Sequence, residues 1–238
     1  MSAVSWRSNA SHLANTLLNL IFPLVCANCK KVGALLCSDC RAALVWLQEP
    51  LCSGCGRSVK RPLSLCLDCH RQPLPLQQIR AAVLFTGPIP RIIHQMKYNG
   101  LFALAEPMAE LMIEAWTRWE IPVDVVVPVP LHADRERKRG YNQSALLANY
   151  LCRRLDLTFT GEGLQRIRHT RPQVELSAVD RLANVANAFV ASPDHVAGGD
   201  VLLVDDVCTT GATMIAATEA LLAAGAKTVS GYAVARAT

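Results

Sequence analysis

A run of acidic, hydroxyl and glycine residues at positions 205–213 has the side chains of a phosphate and sugar site. The run reads DDVCTTGAT, and it follows the apolar segment Val201–Val204. Backbone N–H groups at the start of a helix attract anions, and a glycine lets the backbone approach a phosphate. Carboxylates accept hydrogen bonds from sugar hydroxyls or hold Mg²⁺ through water. The run therefore predicts a sugar-phosphate site, although an acidic pair alone also suits other Mg²⁺ pockets and such a turn alone can be a helix cap.

Eight of the ten cysteines form four C-x-x-C pairs. The pairs are Cys26 and Cys29, Cys37 and Cys40, Cys52 and Cys55, and Cys66 and Cys69. Two such pairs make the closed tetrahedral Cys₄ site of structural zinc. We expect two Zn²⁺ ions, each held by two consecutive pairs, although a cross-braced pairing fits the spacing too. A disulfide framework and an iron–sulfur cluster are the alternatives.

The segment before Cys26 resembles a signal peptide only superficially. Asn19 and Pro23 interrupt its apolar run and no cleavage pattern follows, so residues 1–25 are predicted to contain an amphipathic helix. No stretch of about 18 residues is apolar throughout, and we therefore expect no membrane span. Because neither a signal peptide nor a membrane span is predicted, we expect a cytoplasmic protein. Thiols stay reduced in the cytoplasm, and paired cysteines there favour metal over disulfide.

The positive charge lies in the cysteine-rich part of the chain. Residues 1–80 hold nine Lys and Arg against three Asp and Glu, whereas the remainder holds fifteen against sixteen. Eight thiolates around two Zn²⁺ ions would lower the balance of the first 80 residues to about +2. Charge alone therefore gives no strong argument for nucleic-acid binding.

Alternating strand and helix patterns follow residue 79 and predict an α/β fold with a parallel sheet covered by helices on both faces. Strands are predicted at Ile79–Phe85, Val123–Val127, Val201–Val204 and Thr228–Val234, and helices at Leu101–Trp116, Tyr141–Leu155 and Ala212–Ala224. A proline-stiffened linker at 71–76 marks a boundary. The predicted domains are an N-terminal helix at 1–25, a small Cys₄ zinc-ribbon module at 26–70 and an α/β domain at 77–238. Ligands of such sheets bind beyond the carboxyl ends of the strands, where residues 205–213 are expected.

The segment 201–213 resembles the phosphoribosyl-pyrophosphate (PRPP) motif of the type I phosphoribosyltransferases. The whole chain resembles the ComF family, which carries a zinc ribbon before a domain of that type. Further matching segments are Met96–Gly100, Val127–His132 and Arg139–Gln143, followed by scattered matches from Arg166 to Phe189. Glutamine amidophosphoribosyltransferase looks like a more distant relative, but its glutamine-hydrolysing domain has no counterpart here.

The resemblance assigns roles residue by residue. It places Asp205 and Asp206 on the ribose hydroxyls of PRPP. The 5′-phosphate would be held by Thr209, Thr210, Gly211, Ala212 and Thr213. The pyrophosphate, with Mg²⁺, would meet a loop formed by Pro128, Val129, Pro130, Leu131 and His132. A cationic flap would close over the ligand and carries Arg166, Arg168 and Arg181. The charged run 134–139 suits pyrophosphate, a nucleic-acid backbone or plain solvent exposure.

The same resemblance implies a PRPP-binding, phosphoribosyltransferase-like protein that acts in DNA uptake, competence or the use of DNA. One reading is an enzyme that transfers phosphoribose to an unidentified acceptor and releases pyrophosphate. The alternative is a non-catalytic, PRPP-responsive adaptor whose zinc module contacts single- or double-stranded DNA, or proteins of DNA uptake or processing. Cys208, inside the motif, is interpreted as a small residue packed under the loop rather than as a nucleophile.

Overall fold

The computed structural model describes residues 23–60, 65–168 and 187–237. The helix predicted within residues 1–25 lies almost wholly outside these ranges. The chain divides into two compact units, Met1–Ala43 and Leu44–Thr238. Within the described ranges, no helix has both the length and the apolar character needed to cross a membrane.

The first unit is built around its four cysteines. Cys26 N donates to Lys31 O (2.8 Å), which closes a tight turn, and a short helix, α1 (Ser38–Ala42), carries the second cysteine pair. The buried cluster consists of Cys26, Cys37 and Cys40, against which only Leu36 packs among the partly buried hydrophobic residues described. Because residues 23–43 bury so little aliphatic surface, this described part of the unit depends on its sulfur cluster for a core.

The second unit contains the second pair of C-x-x-C segments and all strands of the main sheet. Its elements are α2 (Leu67–Arg71), β1 (Ile79–Leu84), α3 (Ile89–Tyr98), a 3-10 turn (Phe102–Leu104), α4 (Ala105–Trp116), β2 (Val125–Pro128), α5 (Ala133–Arg139), α6 (Gln143–Leu155), β3 (Leu164–Arg166), β4 (Phe189–Ala191), α7 (Pro193–Val196), β5 (Asp200–Cys208), α8 (Ala212–Ala223) and β6 (Thr228–Arg236).

The main sheet has the order β1-β6-β5-β2, and every pair in it is parallel. Strand β5 is almost continuously buried, as its apolar sequence predicts for a central strand. Helices α4 and α6 pack on one face, where the Tyr232 hydroxyl donates to Met112 O of α4 (2.5 Å). Helix α8 packs on the opposite face of the sheet. Its Met214 belongs to the same buried hydrophobic cluster as Leu203 of β5 and Ala233 of β6, whose side chains point to that face. The predicted fold class is confirmed.

A two-stranded antiparallel sheet of β3 and β4 lies beside the main sheet, and the sequence pattern did not predict it. Leu164 and Phe189 enter the core below α8, while Arg166 forms an isolated parallel bridge with His132. Strands of three residues are too short for an alternation to be recognised.

The compact units do not coincide with the domains predicted from the sequence. The division falls between Ala43 and Leu44, so that the first cysteine group lies in one unit and the second in the other. The physical reason is a set of backbone bonds between the second group and the sheet, such as Ile79 N to Gly54 O (2.7 Å). The boundaries at 26–70 and 77–238 therefore remain predictions about domain organisation.

Candidate functional site

A cleft of about 560 Å³ opens at the carboxyl ends of β2 and β5. It is lined by the loop Val129–Leu131 after β2, by Asp205–Val207 near the end of β5 and by Thr213 in the first turn of α8. This is the edge at which open parallel sheets bind ligands. Its volume lies within the range of small-molecule sites.

The two predicted carboxylates lie at the floor of this cleft. Asp205 and Asp206 are 9% and 2% exposed. The run Val201–Val204 predicted a strand that ends before the carboxylates. In the structure β5 continues to Cys208, because its pairing with β6 continues that far, so both carboxylates lie inside the strand. One oxygen of Asp205 accepts from the Ser144 hydroxyl (2.9 Å) and from Asp206 N (2.8 Å). Burial, and then the neighbouring Asp206 carboxylate, raise the pKa of Asp205 to about 7.

Lys97, at the end of α3, partners this acidic pair. Its Nζ lies 2.7 Å from Oδ2 of Asp206. Burial alone would lower the pKa of Lys97, but the two carboxylates raise it above the ordinary value for lysine, which keeps its ammonium charged. A charged lysine therefore lies beside the atoms to which the resemblance assigns the ribose hydroxyls. Lys97 lies in the segment Met96–Gly100, which matches the family, but the resemblance assigned it no role.

The segment Arg139–Ser144 joins the cleft's parts together. Gly140, at φ 84°, ends α5, and Asn142 starts α6 by accepting from Ser144 N (3.0 Å). The same Asn142 side chain donates to Val129 O (3.1 Å), which fixes the loop after β2. A short bond from the Tyr141 hydroxyl to Met96 O holds the end of α3 nearby. This segment thus positions the loop after β2, the end of α3 that carries Lys97, and the Asp205 carboxylate.

Of the predicted pyrophosphate loop, the middle residues face the cleft. Val129, Pro130 and Leu131 line it, whereas Pro128 is the last residue of β2. His132 caps α5 by accepting from Asp134 N at its Nδ1 (3.3 Å), which holds the start of that helix. These three side chains are apolar, Val129 N–H donates to Val204 O (2.8 Å) and Pro130 has no N–H, so of the three only Leu131 has a backbone donor to offer a ligand.

Cations surround the rim of the cleft. Besides Lys97, its lining contains Arg135, Lys138, Arg139 and Arg166. Burial, followed by repulsion from Arg135, lowers the pKa of Arg166 to about 10, so its guanidinium remains charged at neutral pH. Five cationic groups against two carboxylates favour a ligand that carries several negative charges.

The predicted phosphate turn is preformed. Gly211 has φ 89°, a conformation that a side chain would strain, and Thr210 Oγ1 accepts from Ala212 N (3.3 Å). Helix α8 begins directly after it, so its first N–H groups face the turn. Thr213 lines the cleft, Thr209, Thr210 and Gly211 form the turn between the carboxylates and the helix, and Ala212 is the first residue of α8.

The predicted flap is described only at its beginning. Arg166 belongs to β3, and its guanidinium lies 5.3 Å from the centre of the Phe189 ring. Arg168 follows two residues later, and Arg181 lies outside the described residues. The part played by these arginines remains a prediction.

The eight paired cysteines form two tetrads. The four sulfurs of Cys26, Cys29, Cys37 and Cys40 lie within 4.8 Å of one another, and so do those of Cys52, Cys55, Cys66 and Cys69. The Sγ atoms of Cys29 and Cys37 are 3.5 Å apart, and those of Cys55 and Cys66 are 3.7 Å apart. A tetrahedron with Zn–S bonds of about 2.3 Å requires sulfurs about 3.8 Å apart. The structure thus favours the sequential pairing, and both tetrads fit structural zinc.

Backbone groups prepare one thiol of each tetrad for ionisation. Burial opposes ionisation of Cys26 and Cys52, but backbone N–H groups, first those of Cys37 and Cys66 respectively, lower the pKa of each thiol to about 6. Metal binding requires thiolates, so these N–H groups favour it.

Several cleft residues were not predicted from the sequence. Lys97 and Asp206 are far apart in the chain, and so are Ser144 and Asp205, hence no local pattern links them. A weak sign did exist for Lys97, because α3 buries Ile89, Ile92, Ile93 and Met96 on one side. Lys97 comes directly after Met96, the last residue of that buried stripe, where a lysine can bury its aliphatic stem and keep its ammonium at the edge of the apolar surface.

Two family models match the chain. Residues 17–71 match the double zinc ribbon domain, and residues 142–237 match the phosphoribosyl transferase domain. The first match covers both cysteine tetrads, and the second covers α6, the acidic pair and the phosphate turn.

Similar proteins extend along most of the chain. It is 33% identical to DNA utilization protein YhgH of Salmonella typhimurium over 84% of this chain and 96% of that protein. It is 30% identical to competence protein F of Haemophilus influenzae, over 85% and 90% respectively. A solved structure, glutamine phosphoribosylpyrophosphate amidotransferase from B. subtilis, is 22% identical with a TM-score of 0.39, over 54% of this chain and 26% of that one. That structural likeness is too weak to carry an argument, but the curated relatives, with the two family models, show that the chain belongs to the ComF family.

Proposed function

We propose that the cleft binds PRPP together with Mg²⁺. The observation that carries this proposal is the meeting of a buried acidic pair, five cations and Thr213 of the first turn of α8 in one cleft, with the turn at Thr210 and Gly211 between the acidic pair and Thr213. The ribose hydroxyls donate to Asp205 and Asp206, the 5′-phosphate accepts from the N–H groups at the start of α8, and the pyrophosphate meets Val129–Leu131 with Mg²⁺.

Lys97 exchanges partners in this proposal. In the structure its ammonium neutralises Asp206. When ribose hydroxyls take the carboxylate oxygens, the ammonium becomes available to the pyrophosphate, which carries far more negative charge. Arg135 and Arg166 flank the same space and reinforce that attraction.

The reaction that such a complex supports is phosphoribosyl transfer. The nucleophile of an acceptor bonds to the anomeric carbon, the bond from that carbon to the pyrophosphate oxygen breaks, and pyrophosphate leaves with the bonding electrons. The acceptor loses its proton to solvent or to the departing group. The cations and Mg²⁺ stabilise the charge that develops on the pyrophosphate. Because the tetrads need thiols that stay reduced, we place this activity in the cytoplasm.

Calorimetric titration of the zinc-loaded chain with PRPP and Mg²⁺ tests the binding. We expect saturable binding, weaker binding of ribose 5-phosphate or pyrophosphate alone, and release of pyrophosphate once the correct acceptor is present. Glu219→Gln is a control for substitutions of the acidic pair. It also removes a carboxylate, but an exposed one on α8, and should bind PRPP like the unmodified chain. If the unmodified chain showed no PRPP binding at millimolar concentrations, the proposal would be wrong.

A second candidate function is contact with single-stranded DNA at the rim of the cleft. Tyr98 and Phe102 are 62% and 60% exposed. The Arg139 guanidinium lies 5.6 Å from the centre of the Tyr98 ring, and the Phe102 and Tyr141 rings are 6.0 Å apart. Exposed rings beside cations are the arrangement on which unpaired bases stack while phosphates bind the basic groups. The relative from Salmonella typhimurium is also named a DNA utilization protein.

Fluorescence anisotropy with a labelled oligothymidylate tests this contact. We expect Tyr98→Ala with Phe102→Ala to weaken binding by about tenfold or more, because stacking contributes about 1–3 kcal/mol per base. Tyr98→Phe keeps the ring and should bind like the unmodified chain. An abasic oligomer should bind all variants equally. If the abasic oligomer bound the unmodified chain as tightly as oligothymidylate, stacking at this rim would be excluded.

A further inference from the structure

Arg236, the last residue of β6, is a fully buried arginine outside the cleft. Its exposed fraction is 1%, and it is the largest of the fully buried side chains described. A buried guanidinium is costly unless its donors are bonded. Its bonding partners therefore indicate what it holds in place.

The guanidinium joins the second cysteine tetrad to the phosphate turn. Its Nε donates to Cys55 O (3.0 Å), the carbonyl of a tetrad residue. Its Nη1 donates to Cys208 O (2.9 Å) and, through a short bond, to Thr209 O. Cys208 and Thr209 are the residues on which the turn of Thr210 and Gly211 begins. One rigid, planar group thus fixes the distance between the tetrad and the turn.

Ile79, at the start of β1, makes a second connection between the same two places. Its N–H donates to Gly54 O of the tetrad segment (2.7 Å). A Cβ added to Gly56 would lie 2.2 Å from Ile79 O, and one added to Gly211 would lie 3.3 Å from Ile79 Cδ1. The tetrad segment, the strand and the turn are therefore in close contact, with little room for one to shift alone.

The charges of the two groups are complementary. Four thiolates around one Zn²⁺ carry a net negative charge. Arg236 and Arg80 both donate to carbonyls of this segment, Arg80 to Ser53 O (3.1 Å). A zinc-loaded tetrad stabilises both guanidinium groups, whereas a segment that opened on losing its metal would take the Cys55 carbonyl from Arg236 and the Ser53 carbonyl from Arg80.

We propose that zinc in the second tetrad holds the phosphate turn in its binding conformation through Arg236, so that zinc and PRPP favour each other's binding. Arg236 is in this view a positioning residue and does not touch the ligand. The part concerning PRPP rests on the proposed function of the cleft, whereas the part concerning the turn does not. Coupling is reciprocal, so a bound ligand must in turn slow the loss of zinc from this tetrad.

Hydrogen exchange of peptides covering residues 204–215, without any ligand, tests the connection to the turn. We expect Cys69→Ser, which removes a ligand of the second tetrad, and Arg236→Met to raise exchange in these peptides by about tenfold. Arg236→Lys keeps the charge but cannot bond to both sides, and should fall between. Cys40→Ser, the equivalent change in the first tetrad, should leave these peptides unchanged, because that tetrad belongs to the other compact unit.

Zinc release from the unmodified chain tests the reciprocal effect and does not depend on any variant folding. A colorimetric chelator should remove one of the two zinc ions several-fold more slowly when PRPP and Mg²⁺ are present, and the other at an unchanged rate. If PRPP binds but neither zinc is retained longer, the coupling is refuted and the proposed function stands. If PRPP does not bind, the proposed function fails, and the exchange of residues 204–215 alone decides whether the tetrad holds the turn.

Discussion

The two cysteine tetrads have the same C-x-x-C pairs but different surroundings. Among the described residues, only Leu36 packs against the buried cysteines of the first tetrad, whereas the second has Val59 and Leu74 against it and donors from Arg80, Arg236 and Ile79 on its carbonyls. In residues 23–43 the first tetrad therefore supplies nearly the whole core, while the second is one part of a larger core. Two identical cysteine motifs can thus differ widely in how much of the surrounding structure depends on the bound metal.

Loss of the first metal site should have the largest effect on local structure. We expect Cys40→Ser to unfold residues 23–43, because structural zinc contributes about 10–16 kcal/mol to the folding of small modules. Limited proteolysis with mass spectrometry would show new cleavage in that segment. The second unit should keep its melting temperature, and a clear decrease there would contradict the division into separate units.

Loss of the acidic pair should abolish ligand binding while leaving both tetrads intact. Asp205→Asn with Asp206→Asn removes both negative charges and replaces one acceptor oxygen of each carboxylate by an NH₂ donor, and we expect PRPP affinity to fall by about 100-fold or more. Calorimetry measures the affinity, and a colorimetric assay should still find two zinc ions per chain. Unchanged affinity would show that the carboxylates have a different role.

Two glycines with nearly equal φ angles allow a position packed against the second tetrad's surroundings to be compared with a position in open space. Gly56 (φ 68°) beside the second tetrad has the Ile79 carbonyl against it, whereas Gly100 (φ 69°) has no atom within 4 Å of an added Cβ. We expect Gly100→Ala to cost about 1 kcal/mol from strain alone, and Gly56→Ala about 3 kcal/mol because strain and overlap combine. Urea unfolding of the second unit measures both. Equal costs would mean that the tetrad segment can move away from β1.

A smaller effect should follow from the raised pKa of Asp205. Its carboxyl, surrounded by Asp206, Lys97, Ser144 and Arg166, has its pKa raised from 3.8 to about 7, so it becomes protonated as the pH falls through 7. A protonated acid accepts less well from ribose hydroxyls, and we therefore expect PRPP affinity to decrease several-fold from pH 8 to pH 6, with proton release on binding near pH 7. Asp205→Asn should lack that part of the pH dependence. The unliganded fold, by the same shift, loses stability as the pH rises from about 4 to about 7.

The sequence predicted the four strands of the main sheet, the sequential pairing of the cysteines and the location of the acidic pair near the carboxyl end of a parallel strand, because these depend on local composition and spacing. Its limits appear at contacts between distant residues. The pairing of Lys97 with Asp206 depends on how α3 meets β5, and the role of Arg236 depends on where the tetrad segment returns to the sheet. Helix α5 was taken only as a charged run, since its stability comes from a His132 cap and a Gly140 end rather than from an apolar stripe.

The pairing of β3 with β4 has a consequence for how this protein family can diversify. The register Leu164–Ala191 and Arg166–Phe189 holds the two ends of the intervening chain side by side. Doubling the length of a loop whose ends are already joined costs only about 0.6 kcal/mol. Insertions or deletions between residues 169 and 186 should therefore leave Arg166 at the cleft, because the pairing of β3 with β4 holds it there.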